Sequence, residues 1–326
     1  MTIELKIDYR LGGIPAYRLV VGEDNLMQIP DEIRKCVVFV CFKDIQGIKL
    51  AGTAFLVGVS IGEGASLIAP YFITAKHVID GIRKASIDQK VYIRINLKNT
   101  GAQLVETPIE RWLLHPSEPN VDVAVFNWVP PQEIFDYRFI PLEMSATQEI
   151  INKENIGVGD DIFLTGLFQN HYGSQRNIPI IRVGNIAAMP EEKVHTRKMG
   201  DIDAYLIEAR SLGGFSGSPV FAYIGSLRRF GDSMQLGHSK FTFYLLGLMH
   251  GHFDLEYTEL DNVKEDNLYN LQVNIGIAIV VPIWKIIEVI NQEAFVNARN
   301  LALKQAQEKI SPILDNTTKT INPESN

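Results

Sequence analysis

Apolar and polar positions alternate along short stretches of this chain, and Gly, Pro, Asn and Asp turns punctuate them. Stretches rich in β-branched and aromatic residues cover 36–42, 50–59, 66–74, 91–97, 109–115 and 121–128. They resume, after an interruption, at 161–167, 180–187, 204–208, 219–223, 241–249 and 273–280. The interruption opens on Pro130-Pro131 and runs to Asn155 without a clear period, which marks a connection between halves of similar size. Closing each set of strands into a small barrel removes exposed sheet edges, and a cleft between two barrels is a natural place for a site. The expected fold is all-β, with two six-stranded antiparallel barrels over 31–135 and 158–282, joined by residues 136–157.

Both flanks depart from this pattern. Apolar residues at helical spacing open at Pro282-Ile283-Trp284 and continue through Phe295 and Leu301 to Ile310. They predict a C-terminal α-helix over 283–310 that packs across the second barrel, followed by a polar tail over 311–326. Residues 1–30 are an N-terminal arm to which the pattern assigns no role. No internal repeat and no low-complexity segment interrupts the reading.

Composition narrows the function classes. A chain of 326 residues that is 46% hydrophobic can bury a substantial core. Its formal net charge of −7, with no block dense in Lys and Arg to displace counterions, argues against a nucleic-acid partner. Residues 55–59 and 275–284, the longest apolar runs, fall well short of the ~20 that span a bilayer, so no membrane span is expected. The first residues, Met1 to Asp8, lack a basic start followed by a continuous apolar stretch, and a cytoplasmic location is expected. Cys36 and Cys41 are the only cysteines; their odd separation in one strand turns them to opposite faces, and both read as small buried hydrophobes.

Three residues carry candidate chemistry. Ser216 sits in Gly213-Gly214-Phe215-Ser216-Gly217-Ser218-Pro219, where a sharp turn with small neighbours exposes a hydroxyl and lets the N–H groups of Gly214 and Ser216 converge on an oxyanion. His77 ends an apolar strand at Thr74-Ala75-Lys76-His77, with Ala75 leaving room for an imidazole able to take and return a proton near neutrality. Asp122 opens the apolar stretch Val121-Asp122-Val123-Ala124-Val125, where a buried carboxylate needs a partner such as an imidazole N–H. Taken singly, each has a plainer reading: a glycine-rich turn, a structural histidine and a solvated turn aspartate.

Together the three blocks, in the order His, Asp, Ser and at these intervals, resemble the signature blocks of trypsin-like, chymotrypsin-fold serine peptidases. Gly52-Thr53-Ala54-Phe55-Leu56-Val57 resembles the strand before the histidine strand of that family. The stretch Val158 to Gly166 resembles the opening of the second barrel in bacterial members, and Gly276 to Pro282 is similar to the last strand of HtrA-like proteases. The resemblance implies a serine endopeptidase with His77, Asp122 and Ser216 as catalytic triad, Gly214 and Ser216 forming the oxyanion hole, a peptide or protein substrate, and no cofactor or metal. Secreted relatives usually carry several disulfides, whose absence here fits a reducing compartment.

Two departures matter. Trypsin itself has an aspartate before the nucleophilic serine, which pairs with a new N-terminus after zymogen cleavage; Phe215 stands there, so packing or a partner must hold the oxyanion hole and activity needs no N-terminal trimming. Arg210 falls at the base of the specificity pocket implied by the resemblance, and Gly247 to His252 resembles its wall. A cation together with His250 would favour Glu or Gln before the scissile bond, and glutamyl endopeptidases place a histidine in this region. A metal reading of His250-Gly-His252 lacks a third ligand. Two other readings stay open: a catalytically silent peptide-binding module on the same scaffold, and a protease domain regulated by a protein partner within a larger assembly.

Overall fold

The computed structural model describes residues 3–8, 16–21, 29–62, 67–196, 199–209, 214–225, 227–230, 233–236, 242–255 and 273–319. The chain divides into two compact units, residues 1–30 and 31–326. The smaller unit is an antiparallel hairpin of β1 (Ile3–Asp8) and β2 (Ala16–Val21), with Ile3 opposite Val21 and Asp8 opposite Ala16.

In the larger unit a short helix α1 (Asp31–Lys35) leads into β3 (Val37–Asp44), β4 (Gly47–Ile61) and β5 (Leu67–Thr74). The β3–β4 turn is held by Asp44, whose Oδ1 accepts the Gln46 N–H at 2.7 Å. Helix α2 (Lys76–Ala85) follows β5, then β6 (Lys90–Asn96), β7 (Ala102–Pro108), β8 (Leu113–Leu114) and β9 (Ala124–Asn127). Val91, Ile93 and Ile95 alternate with less buried neighbours along β6, the period of a strand with one face inward. These strands pair in the order β7-β6-β3-β4-β5-β9-β8. The first strand in that order, β7, and the last, β8, belong to one run of chain broken by a 3-10 turn at Ile109–Arg111, which carries the chain from one end of the order to the other. Six chain passes make the first barrel, and pairing in the fifth begins at Ala102, ahead of the run expected from residue 109.

The connection carries β10 (Ile140–Pro141), which pairs parallel with β4, and α3 (Gln148–Glu154), which the polar sequence did not announce. Thr147 caps α3 by accepting the Ile150 N–H, and Asn155 ends it in the left-handed region at φ 51°.

The second barrel comprises β11 (Asp161–Gly166), β12 (Ile180–Ala188), a side hairpin of β13 (Val194–Thr196) and β14 (Gly200–Ile202), then β15 (Tyr205–Glu208) and β16 (Pro219–Tyr223). A second side hairpin, β17 (Leu227–Phe230) with β18 (Ser233–Leu236), precedes β19 (Phe243–Leu255) and β20 (Val273–Pro282). The order β11-β12-β15-β20-β19-β16 closes on itself around Leu164, Ile186, Ile207, Phe215, Val220, Leu246 and Val280. Two six-stranded barrels of this kind are the chymotrypsin-like architecture.

Helix α4 (Ile283–Ile290) buries Ile283, Ile286, Val289 and Ile290, and Trp284 packs against the second core. Helix α5 (Glu293–Lys319) runs past Ile310 and leans on the first barrel: Phe295 meets the Tyr71 ring edge-on at 5.1 Å, and Arg299 donates to the Tyr71 hydroxyl at 2.8 Å. Residues 320–326 of the expected tail lie outside the described residues. Among the described residues no helix is long and apolar enough to cross a membrane.

Between the barrels the contacts are polar and paired. Arg94 donates to the Asn177 side-chain oxygen at 2.7 Å and to the Gly173 carbonyl at 2.9 Å, while Asn177 returns a bond to the Arg94 carbonyl at 2.6 Å. These bonds pair the Arg94 guanidinium and the buried Asn177 amide across the seam, as desolvated polar groups require.

Candidate active site

Asp122 stands just before β9, its side chain 0% exposed. The loop that presents it is tied to α4. Lys285 donates to Glu118 at 2.6 Å, and the Glu118 N–H donates to His115 Nδ1 at 3.0 Å. That bond makes Nδ1 an acceptor, so the His115 proton sits on Nε2 and is donated to Glu288 at 2.6 Å. The Lys285 bond holds the Glu118 carboxyl below the usual carboxylate range.

The Asp122 carboxylate receives three N–H groups. Oδ1 accepts the backbone N–H of His77 at 2.8 Å; Oδ2 accepts from His77 Nδ1 at 2.7 Å and from His250 Nδ1 at 2.5 Å. Burial alone would push the Asp122 carboxyl up, but the hydrogen bonds from His250 and His77 reverse this and hold it well below the usual range. An ionised carboxylate only accepts, so each imidazole carries a proton on Nδ1 and turns Nε2 away from Asp122.

His77 is the second residue of α2 rather than the end of a strand. The first N–H groups of a helix lack intrahelical partners, and Ala75 at the N-cap has no side chain to offer one. Asp122 supplies it across the sheet, and the positive end of the helix dipole favours the carboxylate in return. The His77 ring itself is 40% exposed, so the other nitrogen is open to a ligand.

Ser216 lies on the turn into β16. Gly214 and Gly217 adopt φ of +102° and +86°, left-handed backbone that favours glycine, and a Cβ at Gly217 would lie 2.2 Å from the Thr53 carbonyl oxygen. Thr53 of β4 grips this turn from the other barrel. Its N–H donates to the Ser216 carbonyl at 3.0 Å, its hydroxyl donates to the Gly214 carbonyl at 2.7 Å, and the same hydroxyl accepts the Leu167 N–H at 2.9 Å. Phe215 is fully buried in the second core against Gly166, where a Cβ would collide with Ser218 and crowd Phe215. Packing thus fixes the residue that in trypsin is an aspartate. Among the described residues the N–H groups of Gly214 and Ser216 donate to no partner.

The Ser216 hydroxyl donates to the His250 carbonyl oxygen at 3.3 Å, and among the described residues no hydrogen bond joins it to His77. Asp122, His77 and His250 are brought together directly; Ser216 joins them through His250. The imidazole of His250, expected beside the specificity pocket, is committed to Asp122 through Nδ1. Arg210 and Gly213 lie outside the described residues. Sequence reasoning missed Thr53 as a clamp, although the Gly52-Thr53 pair was part of the family-like block.

Two clusters gather potential metal-ligand atoms: His77, Asp122 and His250, and His115, Glu118 and Glu288. In the first, the N···O separations of 2.5 and 2.7 Å are hydrogen-bond lengths, shorter than the roughly 3.3 Å between two ligands of a tetrahedral zinc. In the second, the Lys285 ammonium already holds the cation position between Glu118 and Glu288.

No protein-family model matches the chain, and no curated protein matches its sequence. Solved structures do. The crystal structure of Deg5 is 14% identical with a TM-score of 0.43, covering 81% of this chain and 89% of that one. The HtrA-type protease AlgW with a decapeptide is 13% identical with a TM-score of 0.44, covering 82% of this chain and 66% of that one. The active form of the Rv3671c protease from M. tuberculosis is 15% identical with a TM-score of 0.43, covering 80% and 81%. Such low values leave the functional reading to rest on the residues themselves.

Proposed function

We propose that the chain is a serine endopeptidase working by acyl transfer. The observation that carries this reading is the double hydrogen bond from His77 to Asp122, through N–H and Nδ1–H, which leaves Nε2 unengaged by Asp122 on a 40%-exposed side chain, in the barrel whose Thr53 grips the Ser216 turn.

On peptide binding the Ser216 hydroxyl turns from the His250 carbonyl to His77. Its proton passes to Nε2 as Oγ bonds to the scissile carbonyl carbon, and Asp122 balances the imidazolium. The carbonyl oxygen takes up the negative charge and is met by the N–H groups of Gly214 and Ser216. As the tetrahedral adduct collapses, His77 returns the proton to the leaving amine and the acyl group stays on Ser216. Water then attacks the ester, giving its proton to Nε2, and Ser216 recovers it as the acid departs.

A preference for Glu or Gln before the scissile bond rests on Arg210 in this reading, since the His250 Nδ1–H is spent on Asp122. Cleavage of a peptide library tests it; dominant cutting after Lys, Arg or large apolar residues removes it. A reducing, cytoplasmic setting is part of the same proposal, supported by the free, buried Cys36 and Cys41. One observation favours a silent peptide-binding module, namely the Ser216 hydroxyl resting on His250 instead of His77. Labelling by a fluorophosphonate separates the two. A serine endopeptidase reacts at Ser216, and Ser216→Ala abolishes the reaction; an unlabelled, folded wild type leaves the silent module standing.

A further inference from the structure

His250 touches both ends of the proposed machinery. Its imidazole N–H reaches Asp122 Oδ2 at 2.5 Å, and its carbonyl oxygen receives the Ser216 hydroxyl at 3.3 Å. Its ring stands edge-on to that of His77, centroids 5.3 Å apart.

Backbone geometry explains how one residue does both. Along β19, Met249 faces Val280 and Gly251 faces Ile279 on β20, so the register slips by one residue and His250 is the extra one, a β-bulge. A bulged residue drops out of the ladder and re-aims its side chain. Here the released carbonyl takes the Ser216 hydroxyl, and the re-aimed imidazole takes Asp122. Neighbouring bonds hold the bulge against the nucleophile turn: Gly217 N–H donates to the Met249 carbonyl at 2.9 Å and Met249 N–H to the Ser218 carbonyl at 2.8 Å.

We propose that His250 is a positioning residue of the site, a second imidazole that fixes the Asp122 carboxylate for His77 and parks Ser216 between turnovers. This rests on the acyl-transfer reading. Asp122 Oδ2 divides its lone pairs between two imidazoles, so its plane is set by two fixed donors besides the His77 N–H. Without His250 the buried oxygen keeps a single side-chain donor, the carboxylate can rotate, and the His77 tautomer and orientation loosen. The Ser216 hydroxyl meets the His250 carbonyl and not its ring, and the ring N–H of His250 is turned to Asp122, the contacts of a positioning group.

The test compares full-length wild type, His250→Leu and His250→Asn, since the Asn side-chain N–H occupies the place of Nδ1–H. With p-nitrophenyl acetate as the acyl donor, His250→Leu lowers kcat by about 10- to 100-fold with KM within about twofold, the loss expected of a hydrogen bond to a charged group. His250→Asn recovers kcat to within about threefold of wild type. Low-temperature proton NMR of nitrogen-15-labelled wild type shows two far-downfield N–H signals, one on each imidazole, and the His250 signal disappears in both variants while that of His77 stays sharp only in His250→Asn. If His250→Leu does not fold, the wild-type spectrum and His250→Asn decide. A single downfield signal in wild type, or His250→Leu and His250→Asn equal in kcat, overturns the proposal. An inert wild type that still shows both signals removes the acyl-transfer reading and leaves the placement of His250 intact.

Discussion

Thr53, in the first barrel, holds the carbonyl of Ser216, in the second, by a backbone hydrogen bond of 3.0 Å. With the hydroxyl bonds to Gly214 and Leu167, this one buried residue locks the Ser216 turn to the barrel that carries His77 and Asp122. Thr53→Val keeps the N–H and the shape but strands the buried Leu167 N–H and the half-buried Gly214 carbonyl. Stability is expected to fall by about 2–4 kcal/mol, read from urea denaturation, and fluorophosphonate labelling of the still-folded variant to slow by at least about tenfold.

Phe215 replaces a charge pair with packing, so the full-length chain is expected to turn over without proteolytic trimming. Phe215→Leu should cost about 1–2 kcal/mol and keep activity. Phe215→Asp buries a carboxylate in the apolar cluster that holds Ile162, Leu164 and Val220, and should destabilise by at least about 3–5 kcal/mol and abolish labelling. Activity of Phe215→Asp equal to wild type, or a need for trimming of the wild type, contradicts this.

Asp122 sets a pH dependence of stability. Its carboxyl titrates lower in the folded chain than in the unfolded one, so the unfolded state binds the extra proton as pH falls through the ordinary carboxylate range. The stabilisation is therefore complete above about pH 5 and lost progressively below it. Asp122→Asn should be clearly less stable than wild type at pH 7, with the gap narrowing between about pH 5 and pH 3. Denaturation midpoints across that range measure it, and a gap constant with pH speaks against the buried, hydrogen-bonded carboxylate.

The blocks around His77, Asp122 and Ser216 were legible because their residue types and order are unusual in combination: a histidine after small Ala75, a carboxylate opening an apolar strand, and glycines around Ser216. All six strand runs of the second half correspond to strands of its barrel, since each is a compact run rich in β-branched and aromatic residues bounded by turns. In the first half the bend at Ile109–Arg111 splits one chain pass between two neighbours, and Ala102–Pro108 is too polar for a period-2 reading to find. The role of His250 was hidden for a related reason. Simple alternation puts His250 and His252 on one face, whereas a one-residue register slip at His250 breaks that alternation, and a slip leaves no mark in hydrophobicity. Thr53 was hidden because its work depends on a partner 161 residues away.

Burial pushes the thiols of Cys36 and Cys41 up to about 12, which keeps them protonated and inert. Native protein should not react with Ellman's reagent at pH 8, and guanidinium-unfolded protein should release both thiols. Rapid reaction of either in the native chain argues against the packing of β3.

The central claim is that Ser216 becomes acylated with His77 as its base. Brief exposure to p-nitrophenyl acetate, an acid quench and peptide mapping by mass spectrometry read this directly. The account predicts a single acetyl group, on Ser216 and absent from His77→Ala. No adduct, or the same adduct with and without His77, would contradict it.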